Sequence, residues 1–353
     1  MNVLMIGVDE TSLGGMLTVA KNYMNNAKFC KETNLIYIPS TTHGSKLSKM
    51  IFSLKAYHKI SKTIKKKNID IVHVHMSHGG SSIREGLIMR KARKLGCKTV
   101  AHLHSASFPI WYNNLSNVRK NIVSNMMQYA DVIIALGEEW KNIYADVTKH
   151  KIRIEVIYNA VPCQKVNCYN SEAKEILFLA HMIKRKGIDD LLQAISHIQN
   201  KIPDGVSFSL YGADRDKNIN DKIQSMKLGD VVHYKGWLTN EQKDICFKNT
   251  MLNVLPSYNE GLPMTILETM AYGIPNIATN IAAIPEAISD GKNGFLFTPG
   301  DIDRLETLLI DLISNPEKRR CISNVAYETI ENKFSIDIHM KKVLELYNSL
   351  LNI

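Results

Sequence analysis

Two glutamates, Glu260 and Glu268, stand with seven residues between them inside the stretch Pro256 to Gly273, PSYNEGLPMTILETMAYG. The apolar run Met251, Leu252, Val254 and Leu255 reads as a buried strand ending at Pro256. Ser257, Tyr258 and Asn259 follow as a loop, and a helix begins around Pro263, whose preset φ and missing N–H suit a first helical turn. A helix start leaves backbone N–H groups unpaired, and the macrodipole adds partial positive charge, so the amides of Met264 and Thr265 form a seat for an anion. Glu268 falls one turn further along on the same face. Glu260 precedes the turn. Carboxylates accept hydrogen bonds, so this pair suits hydroxyl-rich groups on either side of a bound phosphate better than the phosphate itself.

With Gly261, Leu262 and Pro263 directly after the first glutamate, and Pro256, Gly273 and Pro275 around it, the E-x7-E pattern resembles the signature of the family 4 retaining glycosyltransferases. The bare spacing would be met by two surface glutamates on any strand-loop-helix; the surrounding glycines and prolines make it specific. The resemblance implies that Glu260 holds hydroxyls of a donor sugar and Glu268 the ribose of its nucleotide, with Gly261, Leu262, Pro263, Met264 and Thr265 lining the same donor site. It also implies transfer of a sugar from a nucleotide diphosphate, with no metal and no cofactor beyond that co-substrate.

Upstream, Ile176 to Ala180 reads as a strand, followed by HMIKRKG and a helix from Ile188. The resembled family carries glycine and arginine at the end of this strand and lysine and glycine five residues later. Lys186 and Gly187 match, whereas Ala180 and His181 stand where glycine and arginine are expected. In the family, lysine and arginine clamp the leaving diphosphate, whose growing negative charge they stabilise. His181 would serve protonated or as a hydrogen-bond donor, and Lys184 or Arg185 could supply the missing charge. Val231 to Tyr234 with Gly236-Trp237-Leu238 resembles the turn that receives the nucleotide base. Asp214-Arg215-Asp216 reads as a solvated loop rather than a metal site.

In the N-terminal half, the strand Val3 to Val8, a loop ending in Gly14-Gly15 and a helix through Leu17, Ala20 and Tyr23 make a phosphate-cradle arrangement. The spacing is not G-x-G-x-x-G, and the second strand, Leu35 to Ile38, ends in Pro39 and Ser40 rather than an acid, which argues against a nicotinamide dehydrogenase. By the resemblance, the glycine loop meets the donor diphosphate. Further strands are expected at Ile69–His75 and Lys98–Leu103. Ligands bind at the carboxyl ends of strands in doubly wound sheets, so His104, just past the second, is better placed than most of the 12 histidines; the resemblance puts it near the reacting sugar. His73, His75 and His102 read as packed strand residues. Phe108, Trp111 and Tyr112 continue the His104 loop and would either stack on an acceptor or pack on the domain.

These elements alternate strand and helix throughout, so the fold class is α/β: two Rossmann-like, doubly wound parallel-sheet domains, which by the resemblance face each other across a cleft in the glycosyltransferase B-type fold. The length of 353 residues exceeds one comfortable core. We expect an acceptor-binding domain over 1–165, a donor-binding domain over 172–333, and a final helix over 334–353 crossing back to the first domain. Charge is uneven: residues 1–170 hold 24 lysines and arginines against 10 acids, the remainder 20 against 24. Lys46 to Lys67 carries eight lysines and no acid, with Leu47, Met50, Ile51, Leu54, Ile60 and Ile64 near helical spacing. Such a helix would either draw the N-terminal domain to an anionic membrane or acidic acceptor, or turn its apolar stripe to the core. No nucleic-acid motif accompanies the charge, and the six cysteines show no zinc or disulfide pattern. With no spanning helix and no leader pattern at the N-terminus, the expected location is the cytoplasm, in peripheral contact with the membrane.

The function expected from these residues and the resemblance is a retaining hexosyl transfer, from a UDP-linked sugar to a lipid-linked or saccharide acceptor of surface polysaccharide. A nucleotide-sugar epimerase of the same architecture, or a sugar-nucleotide-binding module with a dead site at His181, are the alternatives.

Overall fold

The computed structural model describes residues 1–10, 15–214 and 217–352, and among them twelve strands form two sheets. The first contains β1 (Val3–Val8), β2 (Ile36–Thr41), β3 (Ile71–Met76), β4 (Lys98–Leu103), β5 (Val132–Ala135) and β6 (Arg153–Val156). The second contains β7 (Glu175–Leu179), β8 (Ser207–Tyr211), β9 (Val232–Gly236), β10 (Thr250–Leu255), β11 (Asn276–Thr279) and β12 (Phe295–Phe297). The described ladders are parallel, in the orders β2-β1-β3-β4-β5-β6 and β12-β11-β10-β7-β8-β9. Parallel sheets are covered by helices on both faces, which is why β3, β5, β10 and β11 are buried along their whole length rather than alternating. In each sheet the chain order reverses once, between β1 and β3 and between β7 and β10. Ligands of such sheets bind outside the carboxyl ends of the strands at these reversal points.

Residues 1–159 and the C-terminal segment from Ile336 form one compact unit, and Ala160–Ser335 the other. The chain divides ahead of the expected boundary at 165, because the segment after Ala160 is built into the second unit: the Val161 N–H donates to the Phe334 carbonyl at 3.0 Å, and Val161 forms a bridge with Ser335. The Ile336–Leu351 helix packs on the first sheet. Its Tyr347 hydroxyl lies 2.5 Å from His73 Nδ1, and its His339 Nε2 lies 2.6 Å from the Tyr23 hydroxyl.

Three local expectations change. Strand β2 runs through Pro39 to Thr41; it is an edge strand, where a missing N–H costs no ladder bond. Residues Phe108–Asn113 form a short helix rather than a loop. Phe108 is fully buried, stacked on Tyr112 at 5.7 Å and edge-on to Tyr144 at 5.4 Å, so this aromatic is core. The third concerns Lys46–Lys67, a single helix capped by the Ser45 side chain and stopped by Asn68 at φ 47°. Its stripe splits in two. Ile60 and Ile64 are buried with Ala56, whereas Leu47, Met50, Ile51 and Leu54 are 61, 55, 45 and 65% exposed, which excludes a single core-facing stripe.

Candidate active site

At the reversal point of the second sheet, the chain leaves β7 and makes a tight turn over Lys184–Lys186 that closes at Gly187 with φ 71°. A Cβ at Gly187 would stand 1.9 Å from the Pro256 carbonyl oxygen. Only glycine allows this approach, and it presses the lysine turn against the loop following β10. Tyr258 N donates to the Arg185 carbonyl at 2.9 Å, and Arg185 Nη1 donates to the Asn259 carbonyl at 2.6 Å. Lys186 Nζ thereby reaches Glu260 Oε1 at 2.5 Å.

Glu260 is buried. Its Oε1 also accepts from Ser257 Oγ at 2.7 Å, and the Ser257 carbonyl is held by Thr279 Oγ1 at 2.6 Å. The other oxygen, Oε2, receives no hydrogen bond among the described residues, which leaves it as an acceptor for a ligand hydroxyl. The following helix spans Met264–Met270. Leu262, Ile266 and Leu267 are buried, while Met264, Thr265 and Glu268 share the half-buried face, as helical spacing requires. Thr265 Oγ1 ties the helix to the end of β7 by donating to the Leu179 carbonyl at 3.0 Å.

The structure adds a residue that sequence reasoning missed. Lys243, on the Asn240–Lys248 helix, donates to both oxygens of Glu268 at 2.7 and 2.8 Å. Nothing in the spacing of that helix marks one lysine among its neighbours; only the fold brings it over Glu268. Gly236 ends β9 and accepts from the Gly212 N–H at 2.7 Å. His181 is half-buried, with its ring 6.0 Å from that of Trp237, and Trp237 is 44% exposed. Lys184 is exposed, so of the two candidates to make up for the missing arginine it is Arg185 that the backbone fixes beside the Glu260 loop.

The first unit has its own cavity, of about 390 Å³ at the carboxyl ends of β1, β2 and β3, lined among others by Gly7, Gly15, Thr41, His75, Arg84 and Glu85. Gly15 opens the Gly15–Asn25 helix there; Gly14 lies outside the described residues, as do Arg215 and Asp216. The Glu85 carboxyl is pushed up by burial, against the pull of Arg84 and of hydrogen bonds from Ser40 and Ser81. Neither Arg84 nor Glu85 was expected at a site, since both look like ordinary helix residues in sequence.

His104 Nε2 lies 2.8 Å from His75 Nδ1, so the expected histidine connects to this cavity through His75. His73, His75 and His102 share one face of β3 and β4, with the His104 ring 4.1 Å from that of His102 at a tilt of 34° and stacked on His75 at 5.0 Å. Burial, the first cause in each case, and the neighbouring imidazoles hold all four below the usual histidine range. The first three form a group whose ring nitrogens lie within 4.8 Å of one another. The four rings also pack against one another, with centroids 4.1–5.5 Å apart between neighbours.

Two family models cover consecutive parts of the chain: the one described as Glycosyltransferase Family 4 matches residues 24–165, and the one described as Glycosyl transferases group 1 matches residues 164–329. A Klebsiella pneumoniae protein described as an uncharacterized 41.2 kDa protein in the cps region is 28% identical over 99% of this chain and 100% of its own. The Staphylococcus aureus capsular polysaccharide biosynthesis glycosyltransferase CapM is 26% identical over 62% of each chain. The crystal structure of Anabaena HepE in complex with UDP superposes with a TM-score of 0.78 at 16% identity, covering 99% of this chain and 100% of that one. The fold and these matches define a glycosyltransferase of the B-type architecture, related to enzymes of capsule and polysaccharide biosynthesis. The chain belongs to glycosyltransferase family 4.

Proposed function

We propose that the protein transfers a hexose from a UDP-linked sugar, with retention of configuration and without a metal ion, to a saccharide or lipid-diphosphate-linked acceptor of cell-surface polysaccharide. The observation that carries this is the Lys186–Glu260 pair at the carboxyl ends of β7 and β10, with Glu260 Oε2 unengaged. The UDP complex of HepE and the capsular role in the name of CapM support the donor and the pathway.

In this reading the second unit takes the donor and the first the acceptor. Glu260 Oε2 accepts from donor-sugar hydroxyls, and Glu268 from the ribose. Lys186 has three N–H donors. One is spent on Glu260, and the others face the departing diphosphate together with Arg185, which fills the charge that His181 lacks. Their charge stabilises the leaving group as the glycosidic bond breaks. The diphosphate oxygen takes the acceptor proton, so Glu260 positions and does not attack. By the family resemblance His104 is assigned to the reacting sugar and Gly15 to the donor diphosphate, and the enzyme works in peripheral contact with the membrane.

The test incubates the protein with UDP-sugars and a polyprenyl-diphosphate-sugar acceptor in the presence of EDTA, with the anomeric configuration of the product read by NMR. The expected result is acceptor-dependent transfer with the donor's configuration kept. Inverted product, or loss of activity in EDTA, would overturn the corresponding part. Conversion of the UDP-sugar without acceptor would establish an epimerase instead.

A further inference from the structure

Three helices of the first unit, Lys46–Lys67, Gly80–Lys94 and Asn117–Met127, pack side by side, the middle one touching both neighbours. Their charge is one-sided. The first carries eight lysines, the second five lysines and arginines and the third two, and Glu85 is the one carboxylate among the three sequences. Glu85 is 1% exposed and turned inward to Arg84, Ser40 and Ser81. The three helices therefore present cations with no exposed acid of their own, and Asp131, from the loop before β5, pairs with Arg93 at 3.6 Å.

The same layer exposes aliphatic side chains. Leu47, Met50, Ile51 and Leu54 follow the i, i+3, i+4, i+7 spacing that places them in one stripe, at the amino-terminal end of their helix and on the side away from Ala56, Ile60 and Ile64. Val118 and Ile122, 71 and 44% exposed, lie in the third helix, and Leu87, 40% exposed, in the second. Isolated exposed aliphatics are ordinary, but a clustered stripe flanked by cations marks an interaction surface.

We propose that this face docks on a bilayer containing anionic phospholipids, with Leu47, Met50, Ile51 and Leu54 entering the headgroup–acyl boundary and the lysines of the same helix lying among the phosphates. Charge complementarity selects this occupant. Lysine is depleted in protein interfaces, whose anchors are tryptophan, tyrosine and arginine, whereas a basic helix with an apolar stripe is the composition that partitions into anionic interfaces. The proposal rests on the reading of a lipid-linked acceptor only for its purpose. Docking itself needs no catalysis and is measured without it.

The experiment sediments the full chain with vesicles of phosphatidylcholine alone or with 30% phosphatidylglycerol, at low and high salt. Wild type is expected on the anionic vesicles only, and less so as salt screens the lysines. The variant Leu47→Asp/Leu54→Asp should lose at least tenfold in binding, and Lys55→Gln/Lys59→Gln/Lys62→Gln about fivefold per lysine. These side chains are exposed, so thermal unfolding and transfer to a soluble acceptor should match wild type, which separates this outcome from a failure of the enzymatic reading. No vesicle binding, equal binding to neutral vesicles, wild-type binding by both variants, or association with an acidic protein in place of vesicles would overturn the proposal.

Discussion

Lys186 Nζ and Glu260 Oε1 meet at 2.5 Å across the point where strand order in the second sheet reverses, and both side chains are largely buried, at 15 and 7% exposure. A buried ion pair adds little net stability, because desolvation offsets the attraction, but removing one partner strands the other's charge at a cost of about 3–5 kcal/mol. In the proposed function this pair would hold the two side chains in place before a ligand arrives.

Single and double substitution separate these effects. Glu260→Gln and Lys186→Met are each expected to lower unfolding stability by about 3 kcal/mol, while Lys186→Met/Glu260→Gln loses less than the two singles together. Chemical denaturation of the four proteins measures this. Additive losses would mean that the pair is not coupled. All three variants should lack transfer activity, even where stability returns.

Glu268 presents a different balance, since Lys243 occupies both its oxygens. If ribose hydroxyls take over one of them, nucleotide binding must displace part of this pair. Glu268→Ala should weaken UDP binding by roughly tenfold or more, in keeping with a hydrogen bond to a charged group. Lys243→Met should leave it unchanged or slightly tighter. Calorimetric titration distinguishes them, and unchanged affinity in Glu268→Ala would remove the ribose role.

Two glycines with almost the same backbone angle give a control on what the turn at Lys186 requires. Gly187 and Gly236 have φ of 71° and 75°, but a Cβ at Gly187 meets Pro256 O at 1.9 Å while one at Gly236 meets nothing within 4 Å. Gly236→Ala should therefore cost only the left-handed strain of about 1–2 kcal/mol. Gly187→Ala must move the Pro256 loop as well, so its loss in thermal stability should be clearly larger and accompanied by loss of UDP binding. Equal losses would show that the loop yields freely.

Glu260, Glu268, Lys186 and Gly187 were legible in the sequence because each lies at a fixed offset from a strand end or helix start, and the turn residues around them declare those ends. Lys243 was not, since its partner lies 25 residues away on another element and one lysine of an exposed helix looks like the next. The Lys46–Lys67 helix shows the same limit. Periodicity found its apolar stripe, but which half a neighbouring element covers is decided by tertiary packing, and Leu47 to Leu54 are left outside. Arg84 and Glu85 became visible only once β1, β2 and β3 had placed a cavity beside them. Phe108, expected in a loop, is helical because Tyr112 and Tyr144 bury it.

The histidine layer of the first unit should make the protein acid-sensitive well above the range of its carboxylates. Burial pushes His75 down to about 3 and His339 to about 4, and holds His73, His102 and His104 well below the usual value. In the unfolded chain these imidazoles titrate near 6.5. Above that pH neither state binds the protons and nothing is lost; between about 6.5 and 4 the unfolded state binds them and the folded state does not, so stability falls as pH falls, by up to about 1.4 kcal/mol per pH unit for each histidine. His102 isolates the effect, being fully buried with neither ring nitrogen hydrogen-bonded. His102→Leu removes an unsatisfied polar group without stranding a partner, a change that is near neutral or stabilising, and it removes one proton site from the unfolded state. Unfolding followed from pH 7.5 to 5 should give the wild type a steep loss below pH 6.5, with a shallower slope in His102→Leu and comparable stability at pH 7.5. A wild-type stability that stays flat to pH 5 would mean that the layer is already protonated or solvated in the folded protein.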